Sequence, residues 1–65
     1  MKSTAAHTQT VKFLRETENA IHVEVPNGDQ MWIPFSQVAS IEREANGIDG
    51  TITMSKWIAQ QKGLL

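Results

Sequence analysis

Residues Val23–Pro34 read VEVPNGDQMWIP, and the threading of this stretch decides the fold. Its left half extends an alternating run, AIHVEV, that puts Ile21, Val23 and Val25 on one face and His22 and Glu24 on the other. Pro26-Asn27-Gly28 is turn chemistry. Proline presets φ for the first central position of a type I turn, asparagine suits the second, and glycine takes the left-handed position that follows. The expected product is a three-residue hairpin loop. It pairs Val25 with Asp29, Val23 with Met31 and Ile21 with Ile33, so aliphatic chains meet across the strands. His22, Glu24, Gln30 and Trp32 are then left together on the reverse face. A two-residue Asn27-Gly28 turn would set Trp32 opposite Val23 and oppose Met31 and Ile33 with Glu24 and His22. The first register keeps the apolar sets together and is the expected one.

Working outward, Pro34 stops the second strand of the hairpin. Upstream, TVKFLRET alternates and reads as a strand over Gln9–Glu16, with Val11 and Phe13 on one face and Lys12 and Leu14 on the other. Glu18-Asn19 supplies the turn between it and the hairpin. Residues 1–8 are small and polar and are expected to form a flexible arm, leaving residues 9–65 as one small domain. Downstream, Phe35-Ser36-Gln37 is long enough only for a single 3₁₀ turn. VASIERE reads as a fourth strand with Ala39 and Ile41 inward. Asn46-Gly47 and Asp49-Gly50 bracket a second reverse turn, and TITM is a short fifth strand.

Ser55 then opens a different pattern. It is a good N-cap, and KWIAQQK has helix-favouring composition. Gly63 falls where a left-handed residue ends a helix, and Leu64 can fold back on Ile58 or Ala59. Lys62 suits the helix dipole. A helix of about two turns is stable only when docked. The expected fold class is therefore mainly β: a small five-stranded SH3-like or OB-like partial barrel with a short C-terminal helix.

Size and composition narrow the function. The chain has 65 residues, a formal net charge of −1 and no cysteine. A chain this short buries only about 60% of its unfolded surface, so a single small core is the limit. Without cysteine there is no disulfide staple and no thiolate metal site. The near-neutral charge lacks the basic excess usual in nucleic-acid-binding domains. MKSTAAHTQT has no apolar run of a signal peptide, and no stretch approaches the roughly 20 apolar residues of a membrane span. The expectation is a soluble, cytoplasmic protein with no membrane role.

Chemistry is sparse. Ser36, His22 and Asp29 are the nearest approach to a nucleophile, base and orienter, but nothing in the pattern gathers them. His22-Val23-Glu24 has the spacing of a zinc-deaminase segment without the cysteines that such a site needs. The glycines are all expected in turns or at the helix end, so none forms a phosphate loop. No enzyme activity, metal or cofactor is expected.

The two tryptophans carry more information. In the ordinary reading the helix packs over the reverse face of the hairpin, and Trp32 and Trp57 cover it as a second mini-core. In the other, Trp32 with His22, Gln30 and Phe35 forms an exposed binding patch, since tryptophan is enriched at binding hot spots. Folding can gather Lys12, Lys56 and Lys62 into a basic patch, diluted by Glu16, Glu18, Glu24, Glu42 and Glu44; a solvated surface of mixed charge is the ordinary reading.

Two stretches, MWIPFSQV (Met31–Val38) and TITMSKWIAQQKGLL (Thr51–Leu65), together resemble a group of small phage and prophage proteins. In these a strand ending Trp-Ile/Leu-Pro-x-Ser-Gln precedes a C-terminal Trp-x-Ala-x-x-Lys-Gly-Leu segment. Trp32, Ile33, Pro34, Ser36 and Gln37, then Trp57, Ala59, Lys62, Gly63 and Leu64, match the pattern; Phe35 stands where a lysine is expected. The resemblance implies origin and architecture and carries no established activity. The expected function is a non-enzymatic phage or prophage accessory module that binds a protein, such as a host factor. Its expected contact residues are Trp32, His22, Gln30, Phe35, Trp57, Lys12 and Lys56. The alternative is a small barrel binding single-stranded nucleic acid by base stacking. Homo-oligomerisation through an uncovered edge strand is also expected of so small and unstapled a core.

Overall fold

A computed structural model describes residues 6–65. The chain forms β1 (Ala6–Glu16), β2 (Ala20–Glu24), β3 (Gln30–Pro34), a 3₁₀ turn (Phe35–Gln37), β4 (Val38–Arg43), β5 (Asp49–Ser55) and α1 (Lys56–Gln61). The five strands make one antiparallel sheet in the order β3-β2-β1-β5-β4. Every neighbour pair but β1–β5 is a sequential hairpin. Three residues, Phe35–Gln37, join the two edge strands, so the sheet curls back on itself without closing. The result is a partial barrel without the Greek-key connection of an OB-fold.

The central hairpin is threaded as its turn chemistry dictates. Val23 pairs with Met31 and Ile21 with Ile33, while His22 pairs with Trp32 and Glu24 with Gln30. The Val25 N–H donates to the Asp29 carbonyl at 2.9 Å, and the Gly28 N–H to Val25 at 2.8 Å. Gly28 has φ of 98°, a region that L side chains avoid. The Asn27 Oδ1 accepts the Asp29 N–H at 2.8 Å and stiffens the loop.

β1 is the spine of the sheet. Its first half, Ala6–Lys12, pairs with β5, and its second half pairs with β2. Ala6, His7 and Thr8, expected in the arm, are strand residues opposite Ser55, Met54 and Thr53. The reason is that the C-terminal half of β5, through Ser55, offers them backbone partners that β1 reaches only by extending toward its N-terminus. The rest of the expected arm lies outside the described residues.

The core is Val11, Phe13, Ile21, Val23, Val25, Ile33, Ile52, Met54, Ile58 and Ala59. Met31, Phe35, Val38, Ile41 and Leu64 pack against it. Strict alternation fails in β4, where the register slips between Val38 and Ser40. Ala39 is the extra residue of this bulge and is exposed, so Val38 and Ile41 face the core instead of Ala39 and Ile41.

Gly50 also departs from expectation. It is a buried residue of β5, not a turn residue. A Cβ there would collide with the Glu42 carbonyl oxygen and stand 2.8 Å from the Phe13 ring. The missing side chain lets β4 and the Phe13 ring close over the strand. The turn before it is held by Asn46, whose Oδ1 accepts the N–H groups of Ile48 at 2.8 Å and Asp49 at 3.0 Å.

At the C-terminus the Ser55 Oγ accepts the Ile58 N–H at 3.2 Å. Gly63 has φ of 74°, and its N–H and that of Leu64 return to the carbonyls of Gln60 and Ala59 at 3.1 and 2.8 Å. That is the full Schellman pair of bonds. α1 docks on β5 and β1 through Ile58 and Ala59.

Gly50→Ala is expected to cost about 1–3 kcal/mol through overpacking. Gly28→Ala, which meets open space and only backbone strain, is expected to cost about 1 kcal/mol. Urea denaturation of the two variants checks the order; a Gly50→Ala protein as stable as wild type would refute the close approach.

Candidate functional site

The reverse face of the β2–β3 hairpin is built from two cross-strand rows. Register sets Trp32 opposite His22 and His22 opposite Arg15; the next row sets Gln30 opposite Glu24 and Glu24 opposite Lys12. The Val25–Asp29 bond fixes which pairs exchange hydrogen bonds, because such pairs alternate along an antiparallel ladder. His22–Trp32 is therefore a non-hydrogen-bonded pair, the kind whose side chains stand closest. The imidazole stacks on the indole with centroids 4.7 Å apart and planes at 10°. Trp32 remains 39% exposed on the edge strand. Burying one face of the indole on His22 holds it in place and leaves the other face to solvent.

Arg15 belongs to this row and was not among the expected contact residues. After Phe13, simple alternation puts Leu14 and Glu16 on the outer face. The register instead shifts between Phe13 and Arg15, which brings Arg15 opposite His22. A bulge of this kind leaves no mark in periodicity.

The other expected residues divide. Gln30 is exposed, and its amide lies 3.5 Å from the Glu24 carboxylate. Phe35 is half-buried against the core, because the 3₁₀ turn folds it inward, and so it is not part of an exposed patch. Lys12 sits between Glu24 on β2 and Asp49 on β5. Two flanking carboxylates offset its charge and blunt any phosphate-binding role. Arg43 is similarly engaged: its Nη2 lies 2.7 Å from the Glu16 Oε1, and its guanidinium rests 4.8 Å over the Phe13 ring. With Leu14, Arg15, Ile21 and Gly47 these groups line a cleft of about 230 Å³.

Trp57 is 58% exposed in the first turn of α1, beside exposed Lys56. It does not stack on Trp32; His22–Trp32 is the ring pair found among the described residues. The helix docks with Ile58 and Ala59, which turns Trp57 outward. The mini-core of two indoles is therefore replaced by two exposed rings.

The two motif stretches do meet, through smaller groups. The Ser55 Oγ donates to the Gln37 Oε1 at 2.7 Å while accepting the Ile58 N–H. Gln37 thus orients the hydroxyl that caps α1, and does so from 18 residues away. It serves this cap and not the backbone of its own turn. Among the described residues no group of three His, Asp or Glu side chains gathers to hold a metal, and no helix is long and apolar enough to cross a membrane.

Ile33→Ala, which opens a cavity among fully buried chains, is expected to cost about 2–5 kcal/mol. Its neighbour Trp32→Ala is expected to cost no more than about 1 kcal/mol. Thermal or urea unfolding distinguishes them, and equal losses would place the indole in the core. Ser55→Ala is expected to cost about 1 kcal/mol. In a double-mutant cycle with Gln37→Ala the losses should be non-additive; additivity would disconnect the two motifs.

Comparison with protein-family models, curated proteins and solved structures finds no match to this chain, so the site is read from its own residues.

Proposed function

We propose that the protein is a non-enzymatic accessory binding module of a phage or prophage that docks on a protein partner, a host factor, through the outer face of the β2–β3 hairpin. The observation that carries this reading is Trp32: a large ring held by a stack on His22 yet open on its other face. Tryptophan in that condition supplies contact area at low entropic cost, since it is already ordered before binding. The neighbouring row mixes Gln30, Glu24 and Lys12, a polar rim of both signs rather than a phosphate track. The phage setting rests on the resemblance of the Trp32–Gln37 and Trp57–Leu64 motifs.

One observation favours the nucleic-acid reading. Arg15, His22 and Trp32 fall in a single row, and a ring flanked by a guanidinium is a platform for a nucleobase. Against it stand the flanking of Lys12 by carboxylates and the engagement of Arg43 with Glu16.

The test is photo-crosslinking in host extract with a benzophenone side chain at Gln30. A discrete adduct to a host protein, distinct in mass from a cross-linked pair of copies of this chain, is expected, abolished by Trp32→Ala and His22→Ala and kept by Ile48→Ala, whose exposed side chain lies in the β4–β5 turn. An adduct that survives Trp32→Ala would overturn the assignment of the face. In parallel, single-stranded oligonucleotides at low salt are expected to leave tryptophan fluorescence unchanged. Quenching that fades as salt rises would replace this reading by the nucleic-acid one.

A further inference from the structure

The sheet has two edges, and they differ. β4 (Val38–Arg43) carries a bulge at Ala39 and the charges of Glu42 and Arg43. Bulges and charges are the usual protection of an edge against pairing with another chain. β3 (Gln30–Pro34) has neither: QMWIP is uncharged, and its pairing with β2 is unbroken. Its one safeguard is Pro34, at its end.

The ladder determines which backbone groups β3 offers. Met31 and Ile33 exchange hydrogen bonds with Val23 and Ile21, so Gln30 and Trp32 turn their N–H and C=O groups to the open edge. No hydrogen bond among the described residues engages those groups. Two residues apart on one edge, they form a short template for a further antiparallel strand.

We infer that β3 pairs with β3 of a second copy of this chain, antiparallel about a two-fold axis at Met31, joining the two sheets into one of ten strands. In this register Gln30 of each copy exchanges both backbone bonds with Trp32 of the other, and Pro34, which has no N–H to give, stays outside the paired segment. The outer rows then run continuously across the axis: Arg15, His22 and Trp32 of one copy lead into Gln30, Glu24 and Lys12 of the other. Nowhere along these rows do two like charges stand side by side. The uncharged strand is compatible with itself, and this favours a second copy over a charged peptide as its occupant. A contact of so few residues is smaller than a standard interface, so the dimer is weak and concentration-dependent. This inference does not rest on the protein-docking reading. The dimer places two Trp32–His22 stacks on one surface whatever that surface binds.

The absence of cysteine makes the register directly testable. On the axis the two Met31 residues form a non-hydrogen-bonded pair, with Cα atoms about 4.5 Å apart, within reach of a disulfide. Met31→Cys is expected to give a covalent dimer on mild oxidation, whereas Ile48→Cys, exposed in the β4–β5 turn, should not. Sedimentation of the wild type should show a monomer shifting to a dimer as concentration rises. Gln30→Pro removes an edge N–H and the long side-chain bond to Glu24, and leaves the backbone bonds to β2 and the indole in place. It should keep the native circular dichroism and sediment as a monomer. A wild type that stays monomeric at millimolar concentration overturns the inference. So does a dimer that persists in folded Gln30→Pro, or one that Met31→Cys fails to cross-link. If Gln30→Pro does not fold, the sedimentation and Met31→Cys results decide. Loss of the dimer with the photo-adduct intact would sink this inference alone, and the reverse result would sink the docking proposal alone.

Discussion

The parity of one loop governs the arrangement of this protein. Three residues between Val25 and Asp29 place Val23 opposite Met31 and Ile21 opposite Ile33. One residue fewer would rotate every side chain of β3 to the other face. Trp32 would then join the core, and Met31 and Ile33 would oppose Glu24 and His22. What enforces the parity is local: the φ of 98° at Gly28, the proline before it, and the Asn27 side chain that bonds the Asp29 N–H. A domain with so few buried side chains has little energy to spend on correcting a slipped register, so the information sits in the turn.

The readable parts of the fold were those where a residue type answers a local backbone demand. Gly28 and Gly63 at positive φ, Ser55 at the cap and the Leu64 return are all of this kind. The alternation of β2 and β3 was readable for the same reason, because a regular ladder preserves a period of two. The parts that could not be read involve a broken period or a distant partner. The bulges at Leu14 and Ala39 shift the face of everything after them, and no residue at either position announces it. Arg15 enters the candidate site, and Ala39 leaves the core, for that reason. Gly50 resembles a turn glycine beside Asp49; its real role depends on Phe13 and Glu42, brought in from two other strands. The pairing of Ala6–Thr8 with β5 is likewise a tertiary fact, imposed on small polar residues with no apolar pattern of their own.

The two motif segments separate into supporting and displayed groups. Pro34, Gln37, Ser55, Gly63 and Leu64 are accounted for by backbone geometry: a strand stop, a bond to the helix cap, the cap itself and the Schellman end. Ile33 and Ala59 are accounted for by burial. Trp32 and Trp57 are not explained in either way. Replacing either ring by a small polar residue would leave every hydrogen bond just named in place. Their large exposed surfaces are therefore the part of the motif that folding does not require.

Exposed apolar surface on a marginally stable domain is a liability, and the way it is held matters. The indole of Trp32 does not hang free; His22 covers one face of it in the closest type of cross-strand pair. The imidazole is polar enough to sit at the surface and flat enough to stack. The arrangement orders the ring without burying it, and an ordered ring loses less entropy when a partner arrives. The same strand carries its unpaired N–H and C=O groups at Gln30 and Trp32, so apolar contact and backbone pairing are offered side by side. β4 takes the opposite course, with a bulge and charges along its edge. One edge is protected and the other is left open, and the open one bears the stacked indole.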